Sequence, residues 1–351
     1  MLEHIHETDV WDVLSTDAKP VVLYGMGDGA EKIMKVLARY GIAVSDIFAS
    51  DEYIRGHSFK GFHVQTYSQI CEKYKDFNVV MAFAVHDRPM LERIQSIARE
   101  HAVFAPDVPV AGDGLFTRAF VQQNEEKFDR VYNMLADETS RRVYLDILRF
   151  KISGKVQYLY DSFSDKAEVY KDILKLSKKE RIVDLGAYDG DTIREFLACT
   201  DGHYEQLLAL EPDAKNFKKL EKNTASLEPI TCLNLGAWKE KTTLLFNRKA
   251  GRNSKLGEGG VPIEVDTVDH LCDFAPTMIK MDIEGAELCA IEGAAQTIQK
   301  HHPKLYICAY HRNEDLFSIP LKVTELYDGY RVFFRHVPYI PAWESNFYFT
   351  I

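Results

Sequence analysis

The chain has 351 residues, long enough for two domains with separate cores. Its 53 acidic side chains outnumber 43 lysines and arginines, and the net charge of −10 excludes the basic footprint of a nucleic-acid binder or a polybasic lipid anchor. No apolar run is long enough to span a bilayer, and the polar start from Met1 to Trp11 carries no signal-peptide core, so a soluble cytoplasmic protein without membrane contact is expected. The six cysteines (71, 199, 232, 272, 289 and 308) include no Cys-x-x-Cys pair, which predicts reduced core thiols and no zinc site.

Val21 to Tyr24 predict a strand, followed by Gly25-Met26-Gly27-Asp28-Gly29-Ala30, a G-x-G-x-x-A turn, and by helical spacing from Glu31 to Tyr40. A second strand over Asp46 to Ala49 leads to Asp51 and Glu52, about where a ribose-binding acid falls in a dinucleotide fold. A third, Asn78 to Val85, precedes a helix from Asp87 to His101, with His86-Asp87-Arg88 starting it. This is a small parallel α/β domain over 1–112. Its glycine turn either holds a nucleotide or only packs a strand closely on a helix, and the second reading is preferred.

Pro106, Pro109, Gly112 and Gly114 break the pattern. A helical connector over 113–177 follows, with helices at Phe116 to Met134 and at Glu138 to Lys151, the latter capped by Asp137 and ended by Ser153-Gly154. Its composition is that of a packed segment, not a flexible tether.

From 178 to 351 strand–helix alternation resumes. Strands are expected at Arg181 to Leu185, Leu207 to Leu210, Thr231 to Leu235, Met278 to Ile283 and Leu305 to Tyr310. Thr243 to Phe246 and Val261 to Val265 add an excursion around a Gly-rich loop at 251–260. A helix is expected from Ala286 to His301. Arg331 to His336 and Asn346 to Ile351 close an antiparallel pair, so the sheet is mixed. The fold class is therefore α/β: a doubly wound, Rossmann-like domain with a mixed sheet, preceded by the smaller parallel α/β domain and the connector.

The first turn of this domain carries the chemistry. Asp184, Gly186, Ala187, Tyr188, Asp189, Gly190, Asp191 and Thr192 follow a short β-branched strand. A phosphate cradle wants N–H groups and a cation, whereas three carboxylates beside a glycine turn repel phosphate. They suit a ligand with a positive centre, ammonium and hydroxyl groups, which describes S-adenosylmethionine. Glu211, at the end of the second strand with Pro212 after it, sits where an acid grips a ribose diol. Gly236 and Ala237 let an adenine ring lie against backbone. Asp282, Glu284 and His311 come from two neighbouring strand ends, the edge where doubly wound folds keep their sites.

Val-Asp-Leu-Gly-Ala-Tyr-Asp-Gly-Asp-Thr (183–192), Glu-Pro-Asp-Ala-Lys-Asn-Phe (211–217) and Ile-Lys-Met-Asp-Ile-Glu-Gly-Ala-Glu (279–287) resemble the FkbM family of S-adenosylmethionine-dependent methyltransferases. Leu-Ala-Asp-Glu-Thr-Ser (135–140), Arg312 to Leu316 and Arg335-His336 are similar too, so the resemblance covers roughly 130–351. It implies a methyltransferase fold and O-methylation of sugar or polyketide hydroxyls; fold alone does not establish activity. The pair Tyr188-Asp189 departs from the family, where many members carry Asn and an apolar residue.

Methyl transfer to a hydroxyl needs the acceptor oxygen aligned and its proton removed. The expected roles are Asp184 or Asp191 for the methionine ammonium, Glu211 for the ribose, and His311 as general base with Asp282 second. Asp282 and Glu284 otherwise orient substrate or cap a helix. No closed ligand set is visible, so no metal is expected. Tyr170, Trp238, Tyr310 and Trp343 are stacking candidates. The expected partner is a small-molecule or glycan acceptor. Alternatives are an NAD- or nucleotide-sugar-binding enzyme working at Gly25 to Ala30, and a non-catalytic binding module. Acceptor identity and oligomeric state are not encoded in readable form.

Overall fold

Two β-sheets organise the chain in a computed structural model that describes residues 1–50, 56, 58–247, 255–256 and 260–351. The first sheet has β1 (Val21–Tyr24), β2 (Val44–Phe48), β3 (Asn78–Met81) and β4 (Ala102–Phe104), all parallel in the order β2-β1-β3-β4. Every residue of β1 and β3 is buried, as parallel strands covered on both faces require. The covering helices include α1 (Val10–Thr16), α2 (Asp28–Arg39), α3 (Tyr67–Lys73) and α4 (Arg88–Glu100). Asp87 caps α4 by accepting from the Met90 N–H at 3.0 Å, so it starts a helix as expected. Strand β4 and helix α1 escaped the sequence reading because 3 and 7 residues are too few for an apolar periodicity to stand out.

The glycine turn of this sheet is filled by protein. Gly25 has φ +111°, and a Cβ there would lie 2.6 Å from the Phe83 ring; one on Gly29 would lie 2.4 Å from the Ala82 carbonyl oxygen. Both glycines let α2 close onto the end of β3, and Phe83 covers Gly25. Asp51 and Glu52 lie outside the described residues.

The connector holds α5 (Arg118–Gln123), α6 (Glu125–Met134), α7 (Glu138–Ser153) and α8 (Gln157–Ser162). The single helix expected over 116–134 divides at Asn124, whose amide donates to the Phe120 carbonyl at 3.0 Å. Asp137 caps α7 through the Ser140 N–H at 2.7 Å, and Gly154 ends it at φ +65°. The Pro/Gly stretch before the connector is tied down: Asp107 and Lys151 form a buried 2.6 Å ion pair, and the Ala111 N–H reaches the His311 carbonyl at 2.8 Å.

The large sheet contains β5 (Arg181–Leu185), β6 (Gln206–Leu210) and β7 (Ile230–Leu233). After an excursion through β8 (Thr242–Asn247) and β9 (Val261–Asp266), it adds β10 (Met278–Met281), β11 (Lys304–Cys308), β12 (Arg331–His336) and β13 (Ser345–Thr350). Its order is β12-β13-β11-β10-β5-β6-β7, with β13 antiparallel to both neighbours. The sheet is therefore mixed, and the order reverses between β5 and β10, which opens a crevice at their carboxyl ends. Residues 135–140 clip onto its far edge. The Ala136 N–H donates to Val332 at 2.8 Å, Ser140 Oγ accepts from Phe334 N–H at 3.0 Å, and Arg335 pairs with Asp137 at 2.6 Å.

Three expectations need correction. Helices α9 (Asp191–Cys199) and α10 (Ala214–Thr224) flank β6 in the chain, and the helix predicted over 286–301 is two, α11 (Glu287–Gly293) and α12 (Ala295–His301). A Cβ on Gly293 would lie 2.0 Å from the Trp238 carbonyl oxygen, so the break is where another segment crosses closely. The third strand stops at Leu233, and Gly236–Ala237 pairs instead with Val265–Asp266 in the small side sheet. Most of the loop expected at 251–260 lies outside the described residues. All six cysteines are free, but only Cys308 is buried; Cys71 and Cys199 are exposed. The core-thiol expectation holds fully for Cys308 and in part for Cys232 and Cys272, which pack half-buried against the cores, but not for Cys71 and Cys199.

Candidate active site

A cavity opens at the carboxyl ends of β5, β6 and β10, lined by Gly186, Tyr188, Asp191, Thr192, Glu211, Pro212, Gly236, Ala237, Asp282, Glu284 and His311, all expected there. The turn after β5 is forced by close approach. Gly186 has φ +77°, and a Cβ there would lie 1.9 Å from the Asp282 carbonyl oxygen. Only glycine lets this backbone pass under β10 and face the cavity. Tyr188 follows at φ +49° and Asp191 opens α9.

Four expected residues do not line the cavity. Asp184 is fully buried beneath it, 3.1 Å from the Lys280 ammonium, which also donates to the Gly186 carbonyl at 2.9 Å. Burial raises the Asp184 pKa and Lys280 opposes that rise. The assignment of Asp184 to the methionine ammonium is thereby corrected, because its charge is taken up internally. Ala187 is buried in the core under the turn. Asp189 faces outward and pairs with Arg194 at 3.0 Å, and Gly190 packs against Leu220.

Glu211 is 6 % exposed and accepts two backbone N–H groups, from Tyr188 at 2.9 Å and Asp213 at 2.8 Å. Burial dominates these bonds and pushes its pKa up to about 7. It thus lies in the cavity wall with its orientation fixed from the first turn. Beside it, Trp238, Leu244, Ile263 and Val265 supply an apolar face.

At the other end His311 is 1 % exposed and enclosed by acids. Its Nδ1 lies 3.0 Å from Glu287, and its Nε2 lies 3.4 Å from Asp282 and 3.7 Å from Glu284. Burial alone would lower its pKa, but Glu287, Asp282 and Glu284 outweigh it and push it up to about 10. An imidazole so held is already protonated at neutral pH, which argues against the general-base role expected for it. Asp282, which also accepts from the Tyr310 hydroxyl at 3.1 Å, is held below the usual carboxylate range: Lys280, His311 and Tyr310 outweigh its burial. It is a weak base. Asp282, Glu287 and His311 each bring one ligand-type atom within 4.8 Å of the other two, so a divalent ion there would have to displace the imidazolium proton.

Sequence reading named only Trp343 of a wall built from distant segments. Lys166 from the connector pairs with Glu195 at 2.7 Å; Tyr306, Tyr339, Trp343 and Glu344 complete that side. Of the aromatic candidates, Trp238, Tyr310 and Trp343 line the cavity, while Tyr170 is buried and donates to Glu195 at 2.7 Å. Seven carboxylates line the cavity, at 191, 195, 211, 213, 282, 284 and 344, against Lys166, Lys280 and His311. The balance favours a ligand with positive centres over phosphate.

Residues 184–340 match the model of the methyltransferase FkbM domain. The chain is accordingly an S-adenosylmethionine-dependent methyltransferase. A crystal structure of methyltransferase FkbM from Methylobacillus flagellatus KT aligns with a TM-score of 0.76 over 97% of this chain and 93% of that one, at 24% identity, which shows a shared fold. An rRNA methylase from Streptococcus thermophilus (14% identity, 53% of this chain and 96% of that one, TM-score 0.35) is more remote. So is a precorrin-6y C5,15-methyltransferase from Geobacter metallireducens GS-15 (12% identity, 54% and 93%, TM-score 0.34). No curated protein sequence matches the chain significantly. Among the described residues, no helix is long and apolar enough to cross a membrane.

Proposed function

We propose that the enzyme methylates a hydroxyl group of a carbohydrate or another small hydroxylated metabolite. Bound S-adenosylmethionine would supply an electrophilic methyl group on a sulfonium. The residues present fit it: Gly186 brings backbone to the cavity, Glu211 offers a buried carboxylate to a ribose diol, and Trp238 with Gly236-Ala237 gives an apolar adenine face. Tyr188, Asp191, Thr192 and Pro212 complete that half, with Asp191 the acid left to meet the ammonium. The observation that carries the reading is the continuity of this half with a second one. There Asp282, Glu284, Tyr310, Tyr339 and Trp343 offer hydroxyl-binding acids and aromatic faces. Asp282 and Glu284 orient the acceptor in this proposal, and His311 fixes Asp282.

The organisation proposed is an α/β unit over 1–112, a connector over 113–177 and a methyltransferase domain over 178–351. A nucleotide role for Gly25 to Ala30 is not favoured, since Phe83 covers Gly25. Thermal shift with S-adenosylmethionine and with NADH, followed by labelled-methyl transfer to a panel of methyl glycosides and simple diols, tests the reading. Stabilisation by S-adenosylmethionine and label in an ether product are expected. Stabilisation by NADH alone, or label in an amine or carbon product, would overturn it.

A further inference from the structure

We propose that Glu344 is the general base that takes the proton from the acceptor hydroxyl, an inference that rests on the O-methylation reading above. Three other candidates are occupied. His311 lies among Glu287, Asp282 and Glu284, Asp282 is engaged by Tyr310 and His311, and Glu211 accepts two backbone N–H groups at the opposite end. Glu344 lines the same cavity from the wall that carries Tyr339 and Trp343. Its neighbours are side chains, with the Tyr306 hydroxyl at 3.5 Å.

The backbone supports a built feature. Glu344 adopts φ +62°, a left-handed conformation that costs a non-glycine residue about 1 kcal/mol or more and persists where surroundings impose it. The surroundings are visible. The loop between β12 and β13 is closed by Val337 N–H to the Glu344 carbonyl at 3.2 Å and by His336 Nε2 to the Tyr339 carbonyl at 3.1 Å. From the N-terminal unit, Val85 and Ile340 exchange two backbone hydrogen bonds of 2.8 and 2.9 Å, and His86 stacks on Tyr339 at 5.4 Å. The small α/β unit thus holds the loop that aims Glu344 and the aromatic pair into the cavity.

The carboxylate's electrostatics make it a stronger base than an ordinary glutamate. Burial raises its pKa, and Asp282 adds to the rise while Lys166, Lys280 and Asn346 oppose it. Lys166 and Tyr170 face it from the connector side, Lys280 and Asp282 from β10, Tyr306 and Cys308 from β11, and Tyr348 from β13. In the step, Glu344 removes the hydroxyl proton as the new oxygen–carbon bond forms. The carbon–sulfur bond breaks with its electron pair passing to sulfur, and the proton then leaves Glu344 for solvent.

The test uses the full chain with Glu344→Gln and Glu344→Asp, each checked by circular dichroism and thermal melting. Calorimetry with S-adenosylmethionine should give dissociation constants within about twofold of wild type. Carboxyl-13C-glutamate labelling should show, besides the raised carboxyl of Glu211, a second one titrating above the ordinary glutamate range that vanishes in Glu344→Gln and persists in Glu211→Gln. With methyl glycosides as acceptors, Glu344→Gln should lose ~10²–10⁴-fold in turnover and the acidic limb of its pH–rate profile, and Glu344→Asp should recover part. Wild-type turnover in a folded Glu344→Gln, or loss of S-adenosylmethionine binding in it, would overturn the proposal. If wild type binds S-adenosylmethionine and methylates no alcohol, the O-methylation reading itself fails, and the base assignment falls with it.

Discussion

Glu211 offers the sharpest quantitative test, because its ordinary carboxylate chemistry is altered by burial that the structure makes explicit. It is 6 % exposed and its pKa is pushed up to about 7. The gap from the ordinary 4.5 corresponds to ~3 kcal/mol that the ligand-free protein loses when this carboxylate ionises in place. The folded pKa is the higher one, so its contribution to stability is fully present below pH ~4.5 and is lost as pH rises to ~7. A ribose diol donating two hydrogen bonds stabilises the charged form and draws the pKa back down. S-adenosylmethionine should therefore bind with release of a proton below pH 7, and its affinity should fall about tenfold between pH 8 and pH 6. Glu211→Gln should flatten that dependence and weaken binding at pH 8 by ~10–100-fold, the worth of hydrogen bonds to a charged group. The same variant without ligand should be more stable than wild type at pH 8. Calorimetry in two buffers of different ionisation enthalpy measures affinity and proton release together. A pH-independent wild-type affinity, matched by Glu211→Gln, would refute the placement of ribose at Glu211.

The other predictions concern the scaffold of the same site. Gly186→Ala puts a Cβ 1.9 Å from the Asp282 carbonyl oxygen, so a loss of at least ~2 kcal/mol in denaturant unfolding is expected together with lost cofactor binding; a wild-type melting curve would show that the turn can move. Lys280→Met strands the fully buried Asp184 carboxylate and should cost ~3–5 kcal/mol, most of it recovered in Asp184→Asn/Lys280→Met. Failure of the double variant to recover would mean Lys280 matters chiefly through the Gly186 carbonyl. His311→Gln leaves Glu287 without its cation, and ~3–5 kcal/mol of stability should go at pH 7. Since the folded pKa of about 10 lies above the ordinary 6.5, the stability from His311 is complete below pH 6.5 and fades as pH rises through 10. The variant's deficit should shrink above pH 10 in urea titrations. A stable His311→Gln enzyme that merely loses a kinetic limb near pH 6.5 would restore histidine as the base.

What the sequence disclosed, and what it hid, follows from how each part of the site is built. The glycine turn at 186 and the acid at 211 are local: a strand run, a positive-φ glycine and an acid at a strand end sit within one βαβ unit, so spacing alone places them on one edge. The strand order that brings β10 beside β5 needs the whole sheet: the repeated pattern points to a doubly wound sheet but not to which strands are neighbours. Charge state is different. Asp184 reads like a ligand-binding acid until β10 delivers Lys280 against it, and His311 reads like a base until Glu287 closes on its other nitrogen. Both depend on partners 96 and 24 residues away, a coupling no one-dimensional pattern exposes.

The wall opposite the glycine turn was least legible, and the reason is topological. Lys166, Tyr339, Trp343 and Glu344 come from a connector and a terminal hairpin loop, neither of which has the periodicity that flags a strand end. Loops of this kind hold a shape only where something else fixes it. Here the N-terminal unit does so through the Val85–Ile340 pair and the His86–Tyr339 stack. The glycine turn at 25–30, for which sequence favoured close packing over a nucleotide site, lets α2 pack tightly on β3, the strand that leads to Val85. A dinucleotide-like turn and a methyltransferase turn therefore serve one cavity in different ways. One lets backbone reach the cavity, and the other stiffens the small sheet that holds the loop of the opposite wall.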